Sequence, residues 1–135
     1  MDLHENDRKK YKNETFLGSF EFALTGIKTA FNDEKNIRKH MAFSALAIFF
    51  GLFFHLSVSE WLWIFLSIFL VVIMEILNSV VENIVDLATN YHYHFLAKKA
   101  KDMAAGAVLL VAIFSVIVGF MIFGPKIWRL IFLKS

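Results

Sequence analysis

The sequence of 135 residues contains no cysteine and a single proline. Without cysteine the chain has no disulfide framework, no thiol nucleophile and no thiolate metal site. The GxxxxGK[ST] phosphate-binding loop, the GxSxG nucleophile elbow and the HExxH zinc motif are also missing. The net charge of +2 is too small to indicate a nucleic-acid partner.

Charged residues are absent from one long stretch, because no Asp, Glu, Lys or Arg occurs from Met41 to Ser59. The chain is 58% hydrophobic and contains sixteen phenylalanines, which is more apolar surface than a soluble domain of this size can bury. No secretory signal is evident, so we expect the first apolar stretch to remain in the protein as a membrane span. The composition therefore predicts an integral membrane protein.

Three apolar stretches are long enough to cross about 30 Å of hydrocarbon as helices. They predict membrane-spanning helices over residues 39–57, 60–88 and 100–123. We expect Pro125 to stop the third helix, because proline cannot donate a backbone hydrogen bond. The predicted fold class is an all-α membrane protein.

The segment 14–33 predicts an amphipathic helix, because its apolar residues recur at three- and four-residue spacing. This helix is short and rich in phenylalanine, which favours a position in the membrane interface; an ordinary bundle helix is the alternative. Together with the three spans it would form a single membrane domain of residues 1–135.

The distribution of Lys and Arg predicts the orientation of the spans. Eleven of these residues lie before or at the start of the first span, or between the second and third spans or at the start of the third, whereas the segment 57–60 has none. The N-terminus and the second loop are therefore predicted to be cytoplasmic, and the C-terminus outside. There, Lys126, Arg129 and Lys134 depart from the rule.

The second span carries an unusual strip of polar residues: Glu75, Asn78, Glu82 and Asp86. At about 100° per residue, these four fall within about 80° of arc on one helix face. Glu75 lies about 21 Å along the helix axis from Trp61, which predicts a position inside the cytoplasmic leaflet, with Glu82 about 10 Å further on at the interface. The strip would thus connect the depth of a lipid headgroup to the cytosol, where a group buried in the membrane could meet Glu75 and a cytosolic molecule could meet Glu82 and Asp86.

The acids of this strip could also serve other purposes. They could pair with cations of neighbouring helices purely for packing, although we expect no basic partner within the first or third span. A small ion or proton transporter would use the same acids as a relay. However, residues 61–74 contain no acid, and the third span has none after Asp102, so that path would stop halfway. A structural membrane subunit would have no need of such acids.

The loop before the third span carries further candidates. Lys98, Lys99 and Lys101, next to Asp102, could hold phosphates, or could be only a positive-inside signal. The two histidines of Tyr-His-Tyr-His (residues 91–94) are a weak metal signal, and a loop with aromatic contacts is the better interpretation.

Residues 75–86, Glu-Ile-Leu-Asn-Ser-Val-Val-Glu-Asn-Ile-Val-Asp, closely resemble the signature of the prokaryotic diacylglycerol kinase and undecaprenol kinase family. The stretches 26–34 and 100–106 resemble two further blocks of that family, and the resemblance extends from about residue 16 to residue 123. Val80 departs from the signature, which has a small residue there. Thr15 stands where the family commonly has a basic residue.

The resemblance implies a homotrimer of subunits with three spans and an interfacial helix, with active sites formed between neighbours. It implies transfer of a phosphoryl group from ATP to a lipid hydroxyl, with Glu75 as general base and Asn78 positioning the hydroxyl. Glu34 and Glu82 would hold Mg²⁺. The implied nucleotide contacts are Asp86, Lys101 and Asp102, with Lys99 and Tyr93 as further candidates.

The lipid is predicted from finer resemblance. Residues 34–40 and 97–107 are more similar to the Gram-positive type of the family, which phosphorylates undecaprenol, than to the proteobacterial type, which favours diacylglycerol. We therefore expect undecaprenol, with diacylglycerol as the alternative, and a location in the cell membrane.

Overall fold

The computed structural model describes residues 16–132, apart from the side chain of Leu17, and every regular element in this part is an α-helix. The helices are α1 (Phe16–Asp33), α2 (Lys35–Phe53), α3 (Val58–Thr89) and α4 (Phe95–Phe132). The all-α prediction is confirmed. Thr15 and the predicted start of the first helix lie outside the described residues.

Backbone contacts divide the chain into two units. One ends at Asp33 and contains α1, and the other begins at Glu34 and contains α2, α3 and α4. Large apolar side chains of α1 are exposed: Phe16, Phe20, Phe22, Leu24 and Ile27. This apolar surface is what an interfacial helix requires.

The helices differ in length from the predicted spans. α2 begins four residues before the predicted start at residue 39 and ends at Phe53, because residues 54–57 form a turn. α4 is longer at both ends and continues through Pro125 to Phe132. The expectation that Pro125 ends this helix is therefore wrong.

α4 continues through Pro125 because ending the helix there would cost more free energy than keeping the proline within it. Proline removes one backbone hydrogen bond, and its ring crowds the residue before it, which here is Gly124 with no Cβ. An unwound segment among lipids would leave several backbone groups without partners.

A tight connection joins α2 to α3. Ser57 and Glu60 form a reciprocal capping box at the start of α3, with the Ser57 N–H donating to Glu60 Oε2 at 2.7 Å. Lys126 of α4 lies 2.9 Å from the other oxygen of Glu60. Buried Gly51 of α2 packs against the Trp61 ring, where a Cβ atom would lie only 2.6 Å from Trp61 Cη2. This end of the three-helix unit is thus fixed by a cap, an ion pair and close packing.

The apolar core of the second unit lies near the same connection. Its buried members are Leu56, Ile64 and Val118, one each from the turn, α3 and α4. Partly buried aromatic side chains from the turn, α3 and α4 surround them: Phe54, Trp61, Phe114 and Phe123.

Two helices in the described part of the chain, α3 and α4, are long and apolar enough to cross a membrane. Only 28% of the apolar stretch in α3 and 11% of that in α4 is buried, so neither resembles the core helix of a soluble protein. α2 does not meet the same criterion, since Lys35, Arg38 and Lys39 occupy its first turns. A third span therefore stays a prediction.

Candidate active site

The predicted polar strip lies on one unbroken helix, α3. Glu75 is buried, with 6% of its surface exposed, and Asn78, Glu82 and Asp86 are half-buried. Large apolar residues between them or directly after them are exposed: Leu77, Val80, Ile84 and Leu87. The polar strip therefore faces the other helices of the unit, and the apolar side of α3 faces outward. Val80, the departure from the family signature, is exposed within the chain.

Glu75 meets a histidine of the preceding helix. The His40 Nε2 atom lies 3.0 Å from Glu75 Oε1, at hydrogen-bond distance, and 7% of the Glu75 side chain is exposed against 29% of the His40 side chain. The Ser79 hydroxyl, one helical turn further along α3, donates to the backbone carbonyl of Glu75 at 3.1 Å and not to its carboxylate. A buried carboxylate needs such a partner, because an unpaired one would be strongly destabilising.

This contact overturns one expectation. We expected no basic partner for these acids within the neighbouring spans, and that is wrong for Glu75, which meets His40, and for Asp86, which meets Lys101. An inference that counts only Lys and Arg as basic partners overlooks His40. A signal in the sequence was its position at the border between the charged start of α2 and its apolar remainder.

The antiparallel arrangement of α2 and α3 places two further acids at one level. From the contact of His40 with Glu75, Glu34 lies six residues back along α2, and Glu82 lies seven residues forward along α3. At 1.5 Å per residue these steps are about 9 Å and 10 Å, in the same direction. The rise per residue thus puts Glu34 and Glu82 at a similar level along the helix pair.

Asn78 connects to the next acid of the strip. Its Nδ2 donates to Glu82 Oε1 at 3.0 Å, which orients the amide. Its buried Oδ1 has no hydrogen-bond partner in the described part of the chain. Buried polar atoms are normally paired, so an unpaired acceptor in a polar strip marks a place for an incoming donor.

Two lysine–acid pairs lie beyond Glu82. Lys101 of α4 donates to Asp86 of α3 at 2.6 Å, and both side chains are about one-third exposed. Lys98 and Asp102 pair within α4, one turn apart, and are largely exposed. That exposed pair contributes little stability in water. Asp86 and Lys101 therefore lie side by side, as a joint role in binding a nucleotide requires.

The remaining sequence candidates lie in or next to the α3–α4 loop. Lys99 and Tyr93 are exposed, and neither side chain is hydrogen-bonded to the polar strip within residues 16–132. His94 caps α4, since its Nδ1 accepts from the Leu96 N–H at 3.2 Å. No group of three or more metal-ligating side chains occurs among the described residues, so the two loop histidines form no such cluster there.

Glu34 and Glu82 have the donor chemistry that magnesium prefers. Mg²⁺ in phosphate-transferring sites is held by one or two carboxylates together with substrate phosphates and water. The half-buried Glu34 precedes α2 without forming a capping hydrogen bond. Glu82 uses only Oε1 for Asn78. Both acids thus keep oxygens for a cation, and they fit an ion that also binds phosphates.

A cavity of about 390 Å³ lies between α2, α3 and α4. Its lining is almost entirely apolar, with His40, Ser44, Ser67 and Ser115 as its polar members. Since His40 also contacts Glu75, the cavity and the buried carboxylate share one residue. An apolar cavity next to a carboxylate suits a molecule with an apolar body and one polar group.

The fold and this strip define a helical membrane protein with a polar site buried along one face of a long apolar helix. The model of the prokaryotic diacylglycerol kinase family matches residues 21–123. The chain is 42% identical over 123 residues to the undecaprenol kinase of Bacillus subtilis (strain 168). The aligned stretch covers 90% of this chain and 99% of that protein. The chain therefore belongs to the prokaryotic diacylglycerol kinase family, and it is a kinase.

Other relatives are named diacylglycerol kinase. The diacylglycerol kinase of Synechocystis (strain PCC 6803) is 41% identical over 103 residues, 76% of this chain and 59% of that protein. The diacylglycerol kinase of Escherichia coli (strain K12) is 32% identical over 96 residues, 71% of this chain and 78% of that protein.

Proposed function

We propose that this chain transfers the γ-phosphoryl group of ATP to the hydroxyl of a membrane lipid, undecaprenol. The observation that carries the proposal is the buried Glu75, placed on the same helix face as Glu82 and Asp86 and next to an apolar cavity. The match over almost the full length of the Bacillus undecaprenol kinase supports this lipid. Diacylglycerol is the second candidate, because three further bacterial relatives are named for it.

The lipid side of the site consists of the cavity, Asn78 and Glu75. An apolar tail enters the cavity between α2 and α4, and its hydroxyl reaches the polar strip. The unpaired Asn78 Oδ1 accepts a hydrogen bond from the hydroxyl and orients it. Glu75 Oε2 then takes the proton, because Oε1 is already engaged by His40.

The chemical step is an in-line phosphoryl transfer. The lipid O–H bond breaks and its proton passes to the Glu75 carboxylate. The lipid oxygen bonds to the γ-phosphorus, the bond from that phosphorus to the β–γ bridging oxygen breaks, and ADP leaves. A general base of this kind accelerates a reaction by about 10² to 10⁴.

The nucleotide side of the site lies beyond Glu82. Glu34 and Glu82 would hold Mg²⁺, which neutralises phosphate charge when bound. Lys101 would contact the phosphates while Asp86 fixes its ammonium group in place. Asp102, Lys99 and Tyr93 are further nucleotide contacts in this proposal.

The proposed membrane arrangement follows the charges. α2, α3 and α4 would cross the cell membrane with the N-terminus in the cytoplasm and the C-terminus outside, and α1 would lie in the interface. The ion pair between Lys126 and Glu60 supports this orientation, because it neutralises one of the lysines that depart from the positive-inside rule. We propose a homotrimer as the assembly, since the exposed apolar surfaces of α3 and α4 leave room for partner subunits.

The test is a transfer assay on the purified protein in lipid micelles. Radiolabelled ATP and Mg²⁺ are supplied with undecaprenol, with a diacylglycerol, or with neither. We expect label in undecaprenol, at a higher kcat/KM than in diacylglycerol. Higher kcat/KM for diacylglycerol would reverse the choice of substrate, and label in neither lipid would refute the kinase proposal.

A further inference from the structure

We propose that His40 is a positioning residue for the proposed general base, and that it holds the Glu75 carboxylate in its reactive orientation. This inference rests on the proposed function, because it assigns His40 a role through Glu75. Among the described residues, His40 forms the only hydrogen bond to the Glu75 carboxylate, from Nε2 to Oε1 at 3.0 Å. None of the metal, nucleotide and lipid contacts proposed above orients the Glu75 carboxylate, and this role falls to His40.

A glutamate needs such a contact because its side chain is long and rotates about three bonds. With 7% of the Glu75 side chain exposed, water has little access to the carboxylate. The contact with His40 occupies Oε1, and Oε2 forms no hydrogen bond among the described residues. Displacing a catalytic group by about 1 Å can cost about 100-fold in rate, so this orientation has a kinetic consequence.

His40 is itself held in place. The Ser44 hydroxyl, one turn further along α2, donates to the His40 backbone carbonyl at 2.8 Å. The imidazole also borders the apolar cavity, so it lies where a lipid tail would enter. An imidazole can carry a hydrogen on Nε2 both when neutral and when protonated, and therefore can donate to the carboxylate in either form.

The chemistry of the contact predicts which substitutions are tolerated. His40→Gln keeps an N–H donor at a similar reach, whereas His40→Leu keeps bulk and removes the donor. We expect His40→Leu to lower kcat by about 100-fold with KM for ATP unchanged within about twofold, because the proposed nucleotide contacts lie beyond Glu82 and do not include the imidazole. We expect His40→Gln to recover most of the lost rate.

A matched control is available at the other end of α2. His55 is exposed in the α2–α3 turn and has a positive φ of 51°, which asparagine also adopts readily. His55→Asn removes an imidazole without touching the site, and it should keep wild-type kcat.

The experiment measures kcat and both KM values for the wild type, His40→Leu, His40→Gln and His55→Asn in micelles. Thermal unfolding of wild type, His40→Leu, Glu75→Leu and the double variant is followed in parallel as a double-mutant cycle, because leucine at either position removes the hydrogen bond. Non-additive unfolding temperatures are expected, because the two side chains interact.

Three results would overturn the inference. These are a His40→Leu enzyme with wild-type kcat, equal losses in the Leu and Gln variants, and strictly additive unfolding temperatures. A wild-type protein that labels neither lipid would refute the proposed function, and with it the positioning role of His40. The unfolding cycle separates these failures, because it reports the contact independently of activity.

Discussion

Substitution of Glu75 by glutamine separates catalysis from folding at a single position. Glutamine has the size of glutamate, and its carbonyl oxygen can still accept a hydrogen bond from His40 Nε2, 3.0 Å away in the wild type. It cannot accept the lipid proton. We expect kcat to fall by about 10² to 10⁴, the usual contribution of a general base. That corresponds to about 3–5 kcal/mol of transition-state stabilisation.

Glu75→Gln should lower the rate of phosphoryl transfer without lowering the free energy of unfolding. Glu75 is buried, with 6% of its surface exposed, and burying a neutral amide costs less than burying a carboxylate. The assay compares label transfer to lipid with thermal unfolding of the same micellar sample. A Glu75→Gln enzyme with near-wild-type kcat would remove Glu75 from the mechanism, and an unfolded variant would make its role structural.

Glu60 provides the matched control on the same helix. Glu60→Gln removes one negative charge and the ion pair with Lys126, but glutamine can still serve the capping box. We expect unchanged kcat and a loss of up to about 1 kcal/mol in unfolding free energy. Glu75→Gln should therefore lower kcat without lowering stability, whereas Glu60→Gln should lower stability without lowering kcat. Loss of activity in Glu60→Gln would show that removal of any α3 acid inactivates the protein, and would contradict the assignment to Glu75.

Three further substitutions test other parts of the structure. Gly51→Ala should lower unfolding stability by about 1–3 kcal/mol, because the new Cβ would lie 2.6 Å from Trp61 Cη2, and thermal unfolding measures it. Lys101→Ala should raise KM for ATP about tenfold and leave KM for lipid unchanged, since Asp86 then loses its partner and the phosphates lose a cation. Glu82→Gln should raise the Mg²⁺ concentration for half-maximal activity about tenfold, as a magnesium titration of the kinase would detect.

The glycine and lysine substitutions each have a matched control in the chain. Gly106→Ala should stabilise α4 by up to about 1 kcal/mol, because within residues 16–132 the added Cβ meets no atom within 4 Å apart from its chain neighbours and the nearby backbone of its own helix. Lys126→Ala also breaks a lysine–acid pair between α4 and α3, at the opposite end, and should leave KM for ATP unchanged. Equal effects of the two lysine substitutions would remove Lys101 from nucleotide binding. An unshifted magnesium titration would remove Glu82 from the metal site.

The helices and the polar strip could be predicted from the sequence because both depend on local periodicity. Glu75, Asn78, Glu82 and Asp86 share a face in any regular helix, and the structure shows a regular helix there. The side that this strip faces also follows, since the residues on the opposite side are apolar. Nothing beyond the spacing of residues along one helix is needed for these inferences.

The partners of the strip could not be predicted in this way. His40 is 35 positions before Glu75, and their contact depends on how far α2 slides along α3, which the packing of Gly51 on Trp61 and the length of the turn determine. The continuation of α4 through Pro125 also depends on surroundings, because the cost of unwinding a helix is set by the medium around it.

The partners differ in a way that bears on whether the acids are merely structural. A purely structural pairing would tie each acid to a permanent cation from another helix. Within residues 16–132, only Asp86, at the far end of the strip, meets a lysine of another helix, while Glu82 is bonded to Asn78 of its own helix. Glu75, the most buried acid of the strip, meets an imidazole, which can be neutral, and hydrocarbon penalises a fixed charge most at the greatest depth. The arrangement therefore gives Glu75 a hydrogen-bond partner in place of the lysine or arginine that a purely structural pairing would supply, which supports the proposal that its carboxylate acts in catalysis.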